Sequence, residues 1–172
     1  SQQLMQEGGA KMVKLEGGQE QAAIVEYLAI RGVPVCAHLG LQPQFIHKLG
    51  AFKVQGREQA QADAMLRDAR ALVDAGADCL LLECIPSSLG ATLRAAVNVP
   101  VIGIGAGPAV DGQILVMHDI LGLSPMVRHG RTPRFVKPYL VDGRNVEDAF
   151  RAFVTEVKSG AYPGPDHSFG AP

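Results

Sequence analysis

The sequence predicts an α/β protein built on a parallel sheet, and two observations lead to that fold class. Short apolar runs alternate along the chain with amphipathic segments of helical spacing. The apolar runs lack the alternation of polar and apolar residues, as is typical of parallel strands covered by helices. The repeating unit is therefore strand, turn and helix. From the residues alone, a (β/α) barrel and a doubly wound sheet both agree with this pattern.

The predicted elements follow that order along the chain. Strands are expected at 11–16, 34–38, 78–83, 99–104 and, as a short last strand, 119–123. Helices are expected at 2–9, 19–30, 58–75, 87–97, 111–118 and 146–158. A closed (β/α)₈ barrel needs eight strands and about 250 residues, so this chain has too few strands to close one.

Bulk composition sets further bounds. At 172 residues the chain is expected to form a single domain over 1–172, with a flap-like loop at 40–57 and a C-terminal helix and tail at 145–172. The net charge of −1 and the lack of a basic run argue against nucleic acid, and no apolar run is long enough to span a membrane. The three cysteines form no C-x-x-C pair and are expected to be buried, reduced thiols of a cytoplasmic protein.

Polar residues end several of the predicted strands. Lys14 and Glu16 lie two apart on one strand and should share a face, and His38 ends the next strand. The carboxyl ends of parallel strands are where α/β enzymes place their chemistry. The alternatives are a structural ion pair for Lys14 and Glu16, and a satisfied core histidine for His38.

Glu83 and a glycine-rich turn end the following two strands. Glu83 comes after three leucines, and a carboxylate at the end of a buried strand is unfavourable unless it is paired or functional. Its alternative is a glutamate that emerges into solvent. Gly103, Gly105 and Gly107 do not have the spacing of a dinucleotide loop; they agree with a phosphate-binding turn or with close packing of strand on helix.

Seven segments together resemble the ketopantoate hydroxymethyltransferase family. They are residues 13–18, 38–41, 53–57, 82–84, 101–107, 111–119 and 167–169. Ala37 and Gln42 depart from the family, which usually has Gly and Thr there. The resemblance implies a (β/α)₈ TIM barrel, with this chain covering roughly strands 4–8 and their helices.

The activity implied by this resemblance transfers a hydroxymethyl group from 5,10-methylenetetrahydrofolate to 3-methyl-2-oxobutanoate, in pantothenate biosynthesis, with Mg²⁺. By the same resemblance Lys14 contacts the keto acid, Glu16 reaches Mg²⁺ through a water, and Glu83 is the proton acceptor. His38 is expected to bond the substrate or to help move the proton.

The resemblance also implies surroundings and partners. The turn of Gly103, Gly105 and Gly107 would lie near the pocket mouth, leaving room for the pterin of the folate. The expected partners are the keto acid, tetrahydrofolate and further copies of the chain, since the family commonly forms decamers.

One expectation concerns completeness. In the family, two aspartates that bind Mg²⁺ directly and a serine that binds the keto acid belong to the first three strands, which this sequence does not match. The chain alone is thus expected to be poorly soluble or associated, and inactive until a polypeptide with those strands is added. The alternatives are a non-catalytic fragment and a related Mg²⁺-dependent α-keto acid lyase.

Overall fold

The computed structural model describes residues 1–43, 53–130, 132–141 and 143–170. Within them a parallel sheet has five strands in sequential order. They are β1 Val13–Glu16, β2 Val35–Gly40, β3 Cys79–Glu83, β4 Val101–Ile104 and β5 Gly112–Gln113. The predicted α/β class, with adjacent parallel strands, is confirmed.

Helices connect and flank these strands. In the described residues they are α1 Gln2–Gln6, α2 Ala22–Ala29, α3 Gln59–Asp74, α4 Ser87–Ala96, α5 Met117–Ile120, α6 Pro125–Arg128 and α7 Val146–Ser159. Single 3₁₀ turns lie at Gln19–Gln21 and Pro165–His167. Helices α2, α3 and α4 lie in the connections from β1 to β2, from β2 to β3 and from β3 to β4, as is usual between parallel strands.

The two faces of the sheet differ. One face packs under α2, α3 and α4 and forms the main core, with Val25, Leu72 and Leu93 of the helices fully buried. The strand residues on that face are Val13, Val35, Ala37, Leu39, Leu80, Leu82 and Val101. Because side chains alternate along a strand, the residues between them project to the opposite face. That opposite face carries the predicted polar residues.

A second, smaller core lies towards the C-terminal end of the chain. Ile120, Tyr139 and Ala149 are buried together, and Phe153 packs edge-on to Tyr139 with ring centroids 5.6 Å apart. Asn145 caps α7 by accepting a hydrogen bond from the backbone N–H of Asp148 at 2.9 Å. This core packs the C-terminal helix α7 against the region around α5.

The predicted helix 111–118 and last strand 119–123 are wrong. Strand β5 falls inside the predicted helix, and α5 covers part of the predicted strand. The cause is Asp111, whose carboxylate accepts a hydrogen bond from the backbone N–H of Val101 at 2.8 Å and pairs with Arg94 at 2.6 Å. These contacts hold the chain beside β4 and align Gly112 with Ile102 as a strand.

Several expectations about the chain's organisation stay predictions. Residues 44–52 of the predicted flap at 40–57 lie outside the described residues. The single domain over 1–172 stays a prediction. The C-terminal unit at 145–172 also stays a prediction, although α7 lies within it. In the described part of the chain, no helix combines the length and apolarity needed to cross a bilayer.

Candidate active site

The carboxyl ends of β1, β2 and β3 bring four of the predicted site residues together. The register pairs Glu16 with His38, and Gly40 with Glu83. Side chains two residues apart share a face, so Lys14, Glu16, His38 and Glu83 all project from the face opposite the main core. We call these four residues the polar cluster.

His38 is the centre of the polar cluster. Its side chain is fully buried, and its ring lies between two carboxylates. Nδ1 is 3.2 Å from Oε1 of Glu16, and Nε2 is 3.1 Å from Oε2 of Glu83. Neither contact is aligned as a hydrogen bond. The ring therefore lies close to both carboxylates, but neither of its nitrogens makes a hydrogen bond to them.

This arrangement has room for an additional proton. A neutral imidazole has one N–H donor and one lone pair, whereas an ionised carboxylate only accepts hydrogen bonds. With a carboxylate at each nitrogen, both contacts of His38 become favourable when a second proton resides on the ring or on one carboxyl group. The cluster can thus take up a proton from a neighbouring molecule, as a general base does.

Glu16 is held in its ionised form. Burial raises its pKa, but Lys14 and His38 oppose that effect and bring the pKa below the ordinary value. Lys14 Nζ lies 3.2 Å from Oε1, the same oxygen that faces His38.

The described residues do not by themselves form a metal site. No group of three or more His, Cys, Asp or Glu side chains among them is arranged to hold an ion. Glu16 offers a single carboxylate, whereas Mg²⁺ takes six oxygen ligands, several of them water. A bound Mg²⁺ would therefore need further ligands from elsewhere.

Close backbone approach shapes the end of β3. Gly40 has φ +98°, and a Cβ at this position would lie 2.1 Å from the carbonyl oxygen of Glu83. The next residue, Leu41, donates its N–H to that same carbonyl at 2.8 Å. Cys84 has φ +54°, a left-handed conformation uncommon for a residue with a side chain. The chain therefore turns sharply on both sides of Glu83.

The glycine-rich turn packs tightly. A Cβ on Gly107 would lie 2.4 Å from Oγ of Ser87, and one on Gly103 would lie 3.0 Å from Val110. Gly105 has φ +65° and lies against the ring of Phe135. Close packing thus explains why glycine is found at 103 and 107. Of the three glycines, Gly105 is the one whose neighbour, Phe135, also lines a cavity beside Glu83. Their predicted role at a cofactor stays a prediction.

A cavity of about 430 Å³ adjoins the polar cluster. We call it the adjoining cavity; its walls include Leu41, Glu83, Ile104, Asp119, Phe135 and Phe169. Sequence reasoning did not select Asp119 or the two phenylalanines as site residues. Residues 111–119 and 167–169 contributed only to the resemblance, because no local spacing shows that they meet at Glu83.

The cysteines differ in their surroundings. All three are free, as expected, but only Cys84 is buried, while Cys36 and Cys79 are half-buried. Cys36 and Cys79 are partners in the strand register. Burial, and the neighbouring Cys79, raise the pKa of the Cys36 thiol to about 12, and burial with the charge of Glu83 raises that of Cys84 to about 11. Such thiols are poor nucleophiles.

Comparison with known proteins identifies the family of the chain. The sequence model described as ketopantoate hydroxymethyltransferase matches residues 1–165. A 3-methyl-2-oxobutanoate hydroxymethyltransferase of Alkalilimnicola ehrlichii is 59% identical over 167 residues, which are 97% of this chain and 59% of the relative. Proteins of the same name from a Marinomonas species and from Halorhodospira halophila are 56% and 55% identical, over 96% and 98% of this chain.

The chain spans less than two thirds of the length of these relatives, covering 59%, 58% and 59% of them respectively. The family match nevertheless extends over nearly all of the chain and includes every strand of the sheet. The chain belongs to the ketopantoate hydroxymethyltransferase family.

Proposed function

We propose that this chain takes part in hydroxymethyl transfer from 5,10-methylenetetrahydrofolate to 3-methyl-2-oxobutanoate, as part of a (β/α)₈ barrel in which it supplies roughly strands 4–8. The observation that carries the proposal is the meeting of Lys14, Glu16, His38 and Glu83 at the carboxyl ends of adjacent strands. The contacts within this cluster are 3.1–3.2 Å. Overall, the keto acid, methylenetetrahydrofolate and water would give 2-dehydropantoate and tetrahydrofolate.

Glu83 is the proposed proton acceptor. The carbon next to the keto group must lose its proton, and the electron pair of that C–H bond moves into an enolate. The Glu83 carboxylate would take this proton on its second oxygen, Oε1. His38, 3.1 Å from the other oxygen, would then stabilise the protonated acid or pass the proton on. Water adds to the methylene bridge of the folate and both of its C–N bonds break, which leaves N–H groups on tetrahydrofolate and a one-carbon unit at the oxidation level of formaldehyde. The enolate carbon forms its new bond to that carbon, and the resulting alkoxide oxygen takes the proton that Glu83 removed.

Lys14 is the proposed partner of the keto acid. Its side chain is 48% exposed, so the ammonium group can reach a bound carboxylate while it stays near Glu16. An ammonium is a compact point charge suited to this task. Glu16 would face Mg²⁺ through a water, and that ion would act as a Lewis acid on the keto acid. Gly103, Gly105 and Gly107 would border the folate.

The proposed setting is a cytoplasmic homo-oligomer. Two features support association. The outer edge of β1 has no partner among the described strands, and an unpaired strand edge favours pairing with another chain. Ile24, Tyr27 and Ile30 also expose large apolar side chains on and just after α2. Light scattering on the purified chain would give its mass in solution; a monodisperse monomer would contradict this part of the proposal.

The test of the function is product formation. The 172-residue chain would be assayed alone and after co-expression with the part of the A. ehrlichii relative that it does not match. We expect 2-dehydropantoate only in the second preparation. Lys14→Met should raise KM for the keto acid by roughly tenfold or more, because one charge-assisted contact is lost. Lys158→Met, at the far end of α7, is the matched control.

Two results would contradict the proposal. Absence of product in a co-expressed preparation that is folded and soluble would favour a non-catalytic role for this chain. Full activity of the chain alone would show that the residues described here are sufficient, and that Glu16 is not one ligand of a larger metal site.

A further inference from the structure

The turn that follows β1 is held from two sides. Gly17, the first residue after Glu16, donates its backbone N–H to the carbonyl oxygen of His38 at 3.3 Å. From the other side, Oδ1 of Asp68 accepts a hydrogen bond from the backbone N–H of Gln19 at 3.2 Å. Asp68 lies on α3, which packs on the core face of the sheet. The chain that leaves Glu16 is therefore attached both to β2 and to α3.

The carboxylate of Asp68 also lies against the backbone of Gly18. Gly18 has φ −84°, so its φ angle alone does not require glycine. A Cβ at this position, however, would lie 2.6 Å from Oδ2 of Asp68, which is closer than such atoms approach in folded proteins. The turn and the Asp68 carboxylate thus fit together only while residue 18 has no side chain.

Helix α3 is a firm support for Asp68. On the same and the adjacent turns of the helix, Met65, Ala69 and Leu72 are buried in the main core. Asp68 itself is half-buried. Functional groups are held precisely when the residues that support them lie on packed helices and strands. Asp68 can therefore fix the turn instead of moving with it.

The position of this turn bears directly on Glu16. Glu16 is the last residue of β1, two residues before Gly18. Its Oε1 lies 3.2 Å from Lys14 Nζ and also 3.2 Å from His38 Nδ1, so a shift of the backbone would disturb both contacts. Misplacement of a functional group by about 1 Å can lower a rate on the order of a hundredfold.

We propose that Asp68 is a positioning residue for the polar cluster. By holding the turn at Gly18 and Gln19 against α3, its carboxylate keeps Glu16 aligned with Lys14 and His38. Asp68 is on the other side of the sheet from the polar cluster, so it acts through the backbone and not on the substrate. The inference rests on the proposed function for its kinetic test, whereas its structural test does not.

The kinetic test compares two substitutions in the co-expressed preparation. Asp68→Ala removes the acceptor and should lower kcat about tenfold or more, whereas Asp68→Asn keeps an oxygen acceptor and should stay within about threefold of wild type. Both are measured well below Tm, where a residue with only a structural role would leave kcat unchanged. Asp63→Ala is the control, because it loses only an exposed contact with Gln59 on the same helix. Equal loss in both Asp68 variants, or no loss in either, overturns the proposal.

A double-mutant cycle tests the contact with Gly18. Gly18→Ala should also lower kcat, because the new Cβ displaces the Asp68 carboxylate from Gln19. In the Asp68→Ala background the obstructing carboxylate is gone, so Gly18→Ala should have little further effect. If the two losses multiply instead, the residues act independently and the proposed role of Asp68 is wrong.

The structural test does not depend on turnover. In crystal structures of the co-expressed preparation, the 3.2 Å distance from Glu16 Oε1 to His38 Nδ1 should lengthen by about 0.5 Å or more in Asp68→Ala and stay the same in Asp63→Ala. If product forms and Asp68→Ala changes neither kcat nor this distance, the positioning role fails and the proposed function stands. If wild type forms no product but the distance lengthens in Asp68→Ala, the proposed function fails and the positioning role stands.

Discussion

Two lysine–glutamate pairs in this molecule differ in how fully their hydrogen bonds are made. In the C-terminal core, Lys137 Nζ lies 2.7 Å from each oxygen of Glu156, and the hydroxyl of Tyr139 donates to Glu156 at 2.8 Å. In the polar cluster, Lys14 and Glu16 are 3.2 Å apart. The buried ring of His38 adds two contacts that are not aligned as hydrogen bonds.

The difference supports the proposal that the polar cluster is a functional site, whereas Lys137 and Glu156 form a structural ion pair. The Glu156 carboxylate has short partners on both oxygens, and the buried Tyr139 fixes its position. The polar cluster keeps donor and acceptor capacity that an incoming molecule could use. A structural ion pair was the alternative for Lys14 and Glu16, and Lys137 with Glu156 shows the form that such a pair takes in this chain. The following predictions test the contrast.

The largest expected effect is the loss of turnover when Glu83 is substituted. Glu83→Gln should lower kcat by about 10²–10⁴-fold in the co-expressed preparation, because the amide cannot accept the proton. The free energy of unfolding should change little, and so should KM for the keto acid. Steady-state kinetics measure both constants, with exposed Glu26→Gln as the control. Equal losses in kcat and in keto acid affinity would instead make Glu83 a residue that positions the substrate.

Glu156 should matter for stability. Glu156→Ala removes the acceptor of Lys137 and of the buried Tyr139 hydroxyl, and should lower the free energy of unfolding by about 1–3 kcal/mol. Urea denaturation followed by circular dichroism would measure the change. KM for the keto acid in the co-expressed preparation should be unchanged. Glu147→Ala, whose pair with Arg151 is exposed, is the control; an equal loss there would remove the contrast.

The stabilisation by Glu156 should depend on pH. Although burial raises its pKa, Lys137 and Tyr139 lower it overall below the ordinary value of 4.5. Folding therefore favours the ionised form, and its stabilisation is present above that ordinary value and lost as pH falls through the lowered pKa. The difference in Tm between wild type and Glu156→Gln should be constant near neutral pH and shrink in acid. If the difference in Tm persists in acid, the stabilisation by Glu156 comes from packing and not from its charge.

The smallest expected effect is that of Lys14 on stability. Its side chain is 48% exposed and its contact is long, so Lys14→Met should change the free energy of unfolding by less than about 0.5 kcal/mol. Lys137→Met, which loses two short contacts, should lower it by about 1 kcal/mol. Both are measured by urea denaturation. A larger effect at Lys14 would mean that its pair with Glu16 is mainly structural.

The sequence was sufficient for the features that depend on local pattern. Strands β1 to β4 follow from apolar runs, and the placing of Glu16, His38 and Glu83 on one face follows from alternation along parallel strands. Strand β5 was missed because a long-range hydrogen bond from Val101 to Asp111 overrides local preference there. The cavity was missed because the packing of separate segments brings Asp119 and Phe169 to the cavity that Glu83 also lines.

The hydrogen bonds between Ser87 and Phe169 have a practical consequence for purifying the protein. The carbonyl oxygen of Phe169 accepts two hydrogen bonds from Ser87 at the start of α4, one from the backbone N–H and one from Oγ. Phe169 is also part of the wall of the adjoining cavity. An affinity tag fused at the carboxyl terminus would pull on this attachment, whereas one at the amino terminus would precede the exposed end of α1. Protein purified through a carboxyl-terminal tag should therefore have the tag cleaved before any ligand titration.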